Sequence, residues 1–190
     1  LKGLLLDQDF SKPQAFHKNP TARAGGIAVY FLFSIFLLSY FLKFNVFLKD
    51  YFIISSLLFF LGFLDDVKIK INSNMRLAMM SVILIICIHI FSIQITKSGL
   101  DILNLWLENN IFQICFVLLC FLFIINGANL IDGYNGLLAI HFIIINFIIL
   151  GVNLINQNFN ISIILITQII IMVSFLFFNF PKAKIFLGDA

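Results

Sequence analysis

The sequence predicts an all-α bundle of about six membrane-spanning helices, and three observations carry that prediction. Hydrophobic residues make up 62% of the 190-residue chain and charged residues only 11%, against roughly 25% charged in an ordinary soluble domain. The mean hydropathy is +1.08. Twenty-five phenylalanines and long Ile/Leu/Phe runs leave too little polar surface to cover a globule in water, so the solvent is lipid. Backbone polar groups in hydrocarbon must be satisfied within their own segment, which selects helices. No period-two alternation supports a membrane barrel.

A spanning helix needs about 20 largely apolar residues, with a range near 17 to 25. In chain order the candidates are about 25–42, 48–64, 76–96, 111–126, 137–154 and 161–178, read as one integral-membrane domain. The first starts at the pair Gly25-Gly26, and the second stops at Asp65-Asp66. Arg76 marks the edge of the third, and Asn126 and Gly127 the end of the fourth. The fifth follows the glycine-rich segment 127–136, and Pro181 fits a stop after the sixth. The shorter spans are tolerable in a tilted bundle whose neighbours cover the helix ends.

Six spans leave seven flanking segments that alternate between two sides. With Arg76 counted in its loop, one side holds Lys2, Lys12, Lys18, Arg23, Lys68, Lys70, Arg76, Lys182 and Lys184. The other holds Lys43, Lys49 and Lys97, so the split is nine against three. The positive-inside rule makes the richer side cytoplasmic. The chain starts at Leu1 with a polar stretch and stops at Gly188-Asp189-Ala190, so both ends read as cut, and no signal peptide is recognisable.

Other function classes fall away on composition. A net charge of +3 without a basic stripe does not suggest nucleic acid. Cys87, Cys115 and Cys120 sit inside apolar runs with no disulfide or zinc spacing, and read as small buried hydrophobes. His89, mid-span, reads as an interior histidine.

The acidic residues form a second pattern. Asp65, Asp66, Asp132 and Asp189 all fall at span ends on the cytoplasmic side, each beside Gly or another Asp. Carboxylates pressed against hydrocarbon are expensive and face a bundle interior or a wet cavity. Four of them on one face read as a site.

Four segments carry the chemistry. Asp65-Asp66 repel each other, which favours a divalent cation, a proton or a basic partner; magnesium is suited to one or two carboxylates plus substrate phosphate. Asn126, Asn129 and Asp132 recur every three residues, so on a helix they present three polar heads to a common space, and the glycines after them permit sharp turns. In Pro181-Lys182-Ala183-Lys184-Ile185-Phe186-Leu187-Gly188-Asp189, the lysines suit an anionic substrate or lipid headgroups. Phe186 and Asp189, three apart, could share one face. In His17-Lys18-Asn19-Pro20-Thr21-Ala22-Arg23-Ala24-Gly25-Gly26, Lys18 and Arg23 could engage phosphate. For each segment a plainer reading exists: a solvated helix cap, a polar helix exit, a topogenic anchor or a topogenic loop.

Together these segments resemble the polyprenyl-phosphate N-acetylhexosamine-1-phosphate transferases (glycosyltransferase family 4). That superfamily includes the phospho-MurNAc-pentapeptide translocase of peptidoglycan synthesis and the UDP-GlcNAc:undecaprenyl-phosphate transferases that initiate O-antigen and teichoic acid assembly. The resemblance implies a multi-pass enzyme of the bacterial inner membrane, with its active site on the cytoplasmic face. Its reaction would be transfer of N-acetylhexosamine-1-phosphate from a UDP-sugar to undecaprenyl phosphate, releasing UMP, with Mg2+ or Mn2+ as cofactor. It implies Asp189 as the metal ligand and Asp65 and Asp66 as the pair handling the lipid phosphate. Asp132 would be an essential carboxylate, with Asn126 and Asn129 orienting it or the nucleotide. Phe186 would stack on uracil, and Lys18 would lie near the nucleotide. Where many members have Asp-Gly-x-Asp-Gly, this chain has Asp132-Gly133-Tyr134-Asn135-Gly136, so Asn135 is expected on the nucleotide rather than on metal. The translocase typically carries Thr-Pro-Thr-Met-Gly-Gly in the first loop. Thr21-Ala22-Arg23-Ala24-Gly25-Gly26 looks closer to the initiators, which favours a donor without a peptide stem; the alternative is the translocase itself. The family's further spans and histidine-rich loop are not in these residues, so the chain by itself is expected to be inactive. Two readings from other classes are an ion-coupled transporter, which should place charges near mid-bilayer, and a non-catalytic membrane fragment.

Overall fold

The computed structural model describes residues 6–7, 21–67, 72–132 and 134–190. Among these, seven helices and three short strands follow in chain order. They are β1 (Leu6–Asp7), β2 (Thr21–Arg23), α1 (Gly25–Phe44), α2 (Lys49–Asp66), α3 (Ser73–Ile90), α4 (Asp101–Leu107), α5 (Asn110–Ile131), α6 (Leu137–Ile155), α7 (Phe159–Asn179) and β3 (Ile185–Phe186). The predicted all-α bundle is the fold. Five helices, α1, α3, α5, α6 and α7, are long and apolar enough to cross a membrane. Phe147, Ile148, Phe177 and many other large apolar side chains are exposed, a surface suited to lipid. The chain is a multi-pass membrane protein. α2 has the length of a span but carries Lys49 and Asp50 at one end and Asp65 and Asp66 at the other.

Two boundaries differ from the sequence reading. α3 ends at Ile90, not near residue 96, because Ser92 takes a positive φ of 50° and the Ile93 N–H turns back to the Ile88 carbonyl at 3.0 Å. α5 runs five residues past 126, since Gly127 and Ala128 stay helical. Two elements went unforeseen: the seven-residue α4, and the three-stranded sheet.

The chain forms two compact units, one of residues 1–69 with 129–190 and the other of residues 70–128. In the first, α6 and α7 form a hairpin, α1 packs on α7, and α2 packs on α1. The buried residues Ile164, Ile171, Phe175 and Asn179 of α7 follow helical spacing and make one inward face. Ala139, Phe175 and Leu187 form its core cluster, so the segment after β3 is packed between helices. β2 joins β1 antiparallel and β3 parallel, with Arg23 opposite Phe186. α1 closes with Asn45 in the left-handed conformation, its N–H on the Phe41 carbonyl at 2.8 Å.

In the second unit, Met80, Leu84, Cys87 and Ile88 line the buried side of α3, while α5 buries only Val117. Cys87 is buried as expected, but Cys115 is exposed, and so is His89.

Candidate active site

The starts of α1 and α6 and the ends of α2 and α7 meet at one end of the first unit. The Gly26 N–H donates to the Leu187 carbonyl at 2.8 Å. The Gly136 N–H donates to Asn179 Oδ1, and Asn179 Nδ2 donates to the Ile185 carbonyl at 2.7 Å. These bonds seat residues 185–190 across the helix ends and bring Asp189 towards Asp66.

Asp66 is the centre of the arrangement. Its side chain is wholly buried, and both oxygens are committed. The Asp189 N–H donates to Oδ1 at 3.0 Å and the Ala190 N–H to Oδ2 at 2.9 Å. Arg23 Nη1 stands 3.9 Å from Asp66 Oδ1 and 3.8 Å from Asp189 Oδ2, an ion-pair distance to both. Two glycines make this approach possible. Gly188 has φ +83°, and a Cβ there would lie 2.6 Å from Asp66 Oδ2. At Gly62, one turn before Asp66, a side chain would collide with the Asp189 carbonyl.

Asp132 joins from the end of α5, close to the Gly188 N–H and within electrostatic reach of Asp189, Arg23 and Asp66. Desolvation, with the Asp189 and Asp66 charges adding to it, pushes its pKa up to about 7 against the pull of the Gly188 N–H and Arg23. Burial also raises the Asp66 pKa, while the two N–H donors and Arg23 pull it down and Asp65 adds to the rise. Among the described residues, the Arg23 guanidinium thus lies within electrostatic reach of the Asp66, Asp132 and Asp189 carboxylates.

The other expected residues divide. Asp65 is half-buried beside Asp66. Asn129 is half-buried in the last turn of α5, and Asn126 belongs to the other unit, its amide donating to the Leu122 carbonyl at 2.7 Å. Asn135 Nδ2 donates to the Pro181 carbonyl at 3.1 Å, tying the turn before α6 to the turn after α7. Lys182 and Lys184 are exposed on that second turn. Phe186 is only 6% exposed. It sits in a strand rather than a helix, so the three-residue spacing to Asp189 does not give a shared face, and its ring is covered. Lys18 lies outside the described residues. Sequence reasoning missed Asn179, which is 3% exposed and bonds to both Gly136 and residue 185. Its signal was an amide at the end of the apolar run Phe177-Phe178, just before Pro181.

Among the described residues no three His, Cys, Asp or Glu side chains form a closed metal cage. Magnesium does not need one, since it is held by one or two carboxylates with water and substrate phosphate. Asp66 is spent on main-chain N–H groups. Asp189, whose side chain is 22% exposed, and Asp132 carry hard carboxylate oxygens, the donor type that such a cation takes.

A sequence profile described as "Glycosyl transferase family 4" matches residues 49–190. Three relatives share the name phospho-N-acetylmuramoyl-pentapeptide-transferase. The protein from Streptococcus mutans is 32% identical over 136 residues, 68% of this chain and 40% of its own length. That from Dictyoglomus turgidum is 31% identical over 184 residues, 92% of this chain and 56% of its own. That from Clostridium beijerinckii is 34% identical over 146 residues, 68% of this chain and 43% of its own. The chain therefore spans about half the length of these relatives, or less. The profile includes Asp65, Asp66, Asp132 and Asp189, and the relatives match across two thirds or more of the chain: it belongs to glycosyl transferase family 4.

Proposed function

We propose that the protein transfers a phospho-sugar from a UDP-activated donor to polyprenyl phosphate at the membrane edge, the donor being UDP-N-acetylmuramoyl-pentapeptide. The observation that carries the transfer is the convergence of Asp66, Asp132, Asp189 and Arg23 at one helix-bundle end. A water-soluble donor and a headgroup-depth phosphate can both reach such a place. The names of the relatives support the pentapeptide donor. They favour what the sequence reading held as its alternative. The earlier preference for a donor without a peptide stem rested on Arg23. Arg23 lies within ion-pair distance of Asp66 and Asp189, so that position speaks to how carboxylates are balanced, not to what the donor carries.

In the proposed reaction an oxygen of the lipid phosphate attacks the donor's β-phosphorus. The bond to the UMP oxygen breaks, UMP departs, and a polyprenyl-diphospho-sugar remains. The second pKa of a phosphate monoester is about 6, so the nucleophile is largely dianionic at neutral pH and needs no strong base. The protein's task is positioning and charge neutralisation. Asp66 acts as a positioning residue, holding the 188–190 turn through two N–H bonds. Asp189 and Asp132 would hold Mg2+ (or Mn2+), which when bound supplies charge neutralisation to the diphosphate. Arg23 supports the same charge, and Asp65 attends the lipid phosphate. Asn129, Asn135 and Phe186 serve the nucleotide, as does Lys18 from outside the described residues; Lys182 and Lys184 attract anionic headgroups. Stacking on Phe186 requires its ring to be uncovered.

The test gives purified full-length protein undecaprenyl phosphate and either UDP-MurNAc-pentapeptide or UDP-GlcNAc, and measures UMP and the lipid product. Magnesium-dependent UMP release with the pentapeptide donor is expected. Turnover only with UDP-GlcNAc would install the initiator reading that Arg23 suggested. Product from neither donor, with a folded protein, would remove the transferase reading.

A further inference from the structure

α4 and the segment before it are used by neither the site nor the proposed reaction. α4 lies between α3 and α5, two helices that can each cross a membrane. At about 1.5 Å per residue, its seven residues are far too short to span. We infer that α4 is an interfacial foot: the face formed by Ile102, Leu105 and Trp106 rests in the headgroup–acyl boundary of the bilayer, and its partner is phospholipid.

The helix divides into three sides. At about 100° per residue, counted from Asp101, Leu105, Ile102 and Trp106 fall near 40°, 100° and 140°. Leu103 and Leu107 fall near 200° and 240°, and Asn104, Glu108 and Asp101 close the circle from roughly 300° to 360°. The first group is exposed, at 67%, 76% and 59%, whereas Leu107 is 5% exposed. In the third group Asp101 is exposed, and Asn104 and Glu108 line a hollow of about 510 Å³ together with Leu107, Gln94, Thr96, Lys97 and Gln113. Asn104 Oδ1 pins the preceding loop by accepting from both the N–H and the hydroxyl of Ser98 at 2.8 Å. One side of α4 is thus wet, one packs inward, and the third is a bare apolar face.

What covers that face follows from its continuity with α5. Ile111, Phe123 and Ile124 of α5 are exposed by 75%, 76% and 71%, and Ile111 begins the lipid-facing surface just after Trp106. The Trp106 ring stands edge-on to Phe112 of α5 with centroids 5.3 Å apart, which fixes it on the side of the helix that enters the bilayer. Tryptophan is enriched at headgroup depth because its ring is apolar and its N–H is polar. A short helix with this division lies in the membrane plane. By the charge count, this is the non-cytoplasmic end.

Trp106 is the single tryptophan of the sequence, so its fluorescence reports on α4 alone, with Trp106→Phe as the blank. The protein is reconstituted into phosphatidylcholine bilayers carrying bromines either near the headgroup end or near the tail end of the acyl chains. Emission blue of that of tryptophan in water is expected, with at least about two-fold stronger quenching by the shallow label. In the Trp106→Phe background, Ile102→Trp should repeat that pattern, while Asp101→Trp should stay water-like. Water-like, unquenched Trp106 emission would overturn the inference. So would blue emission that no brominated lipid quenches, because another protein surface would then cover the face. Quenching strongest from the deep label would also overturn it, by placing α4 within the hydrocarbon.

Discussion

The two ends of the first unit are both polar and are built on different principles. At one end Tyr40 Oη donates to Asn160 Oδ1 at 2.6 Å, and the Ser162 hydroxyl donates to the Asn158 carbonyl at 2.9 Å. These two bonds join neutral groups on one helix or on neighbouring helices. The charged residues at this end, Lys43, Lys49 and Asp50, sit in the last turn of α1 and the first turn of α2, where Asp50 Oδ1 is buried. At the other end Asp66 receives main-chain N–H groups from residues 123 and 124 positions away in sequence and shares Arg23 with Asp189. Neutral amides and hydroxyls at a helix end are cheaply satisfied and cheaply lost. A buried carboxylate is tolerated only with several donors arranged around it. The difference teaches that polarity at a span end is weak evidence of function, whereas a buried charge with long-range main-chain partners is strong evidence.

Removing the charge should break the contrast most visibly. Asp66→Ala leaves two N–H groups and Arg23 without their acceptor, and breaking a buried pair of this kind costs about 3–5 kcal/mol. Thermal unfolding in detergent should fall accordingly, and UMP release should drop on the order of 100-fold or more. Asp66→Asn retains one acceptor oxygen and should recover part of the stability. An Asp66→Ala protein as stable as the parent would show that the 188–190 turn is held by something else.

Asp132 gives the next largest effect, and its sign is fixed by the direction of its shift. Its pKa in the folded protein, about 7, lies above the ordinary 3.8, so the folded state binds the extra proton. Stability should therefore be greatest at acid pH, decline as pH rises from about 4 to about 7, and level off above that. In chelator, Asp132→Asn should flatten this slope, leaving the part that Asp66 contributes, and exceed the parent at pH 8 by on the order of 2–4 kcal/mol. Magnesium should weaken the parent's pH dependence by favouring the ionised carboxyl. Parallel pH–stability curves for the two proteins would show that Asp132 does not titrate in that window.

Much of the charged end was legible in the sequence, and the reason is energetic. Asp65, Asp66, Asp132 and Asp189 stood out because charge beside a long apolar run is costly, so each needed an explanation from the sequence alone. What was not legible depended on backbone direction. Phe186 was placed by helical spacing and proved to be in a strand, paired opposite Arg23. Asn179 was passed over because a neutral amide at a helix end usually means nothing, as the opposite end of the same unit demonstrates. α4 escaped notice because its seven residues bury only Leu107, too little for an apolar period to emerge. Gly62 left a fainter trace: glycine inside a helix costs about 1 kcal/mol relative to alanine, and here it admits the Asp189 backbone.

Gly188 tests the backbone half of the comparison. With φ at +83° and Asp66 Oδ2 2.6 Å from where a Cβ would sit, Gly188→Ala combines an unfavourable backbone conformation with a push on the carboxylate. A loss of about 1–3 kcal/mol is expected, along with reduced UMP release, because the Asp189 and Ala190 N–H groups move with the turn. Gly151, where a Cβ would meet nothing within 4 Å, serves as the control, and Gly151→Ala should be neutral or slightly stabilising. Equal effects at the two positions would mean that the 188–190 turn adapts freely.

The smallest effect belongs to the neutral Tyr40–Asn160 pair and sharpens the contrast by being small. Tyr40 is 4% exposed and gives its hydroxyl to Asn160. Tyr40→Phe keeps the packing and deletes one interhelical hydrogen bond, which within a membrane protein averages about 0.6 kcal/mol. Tyr40→Phe with Asn160→Ala should show a coupling of that order in a double-mutant cycle, and UMP release should remain at the parent level in all three proteins. The comparison turns on that unchanged activity. If the cycle returned several kcal/mol, or if Tyr40→Phe lowered turnover as Asp66→Ala is expected to, a carboxylate held by distant main-chain N–H groups would no longer separate the working end of the bundle from the structural one.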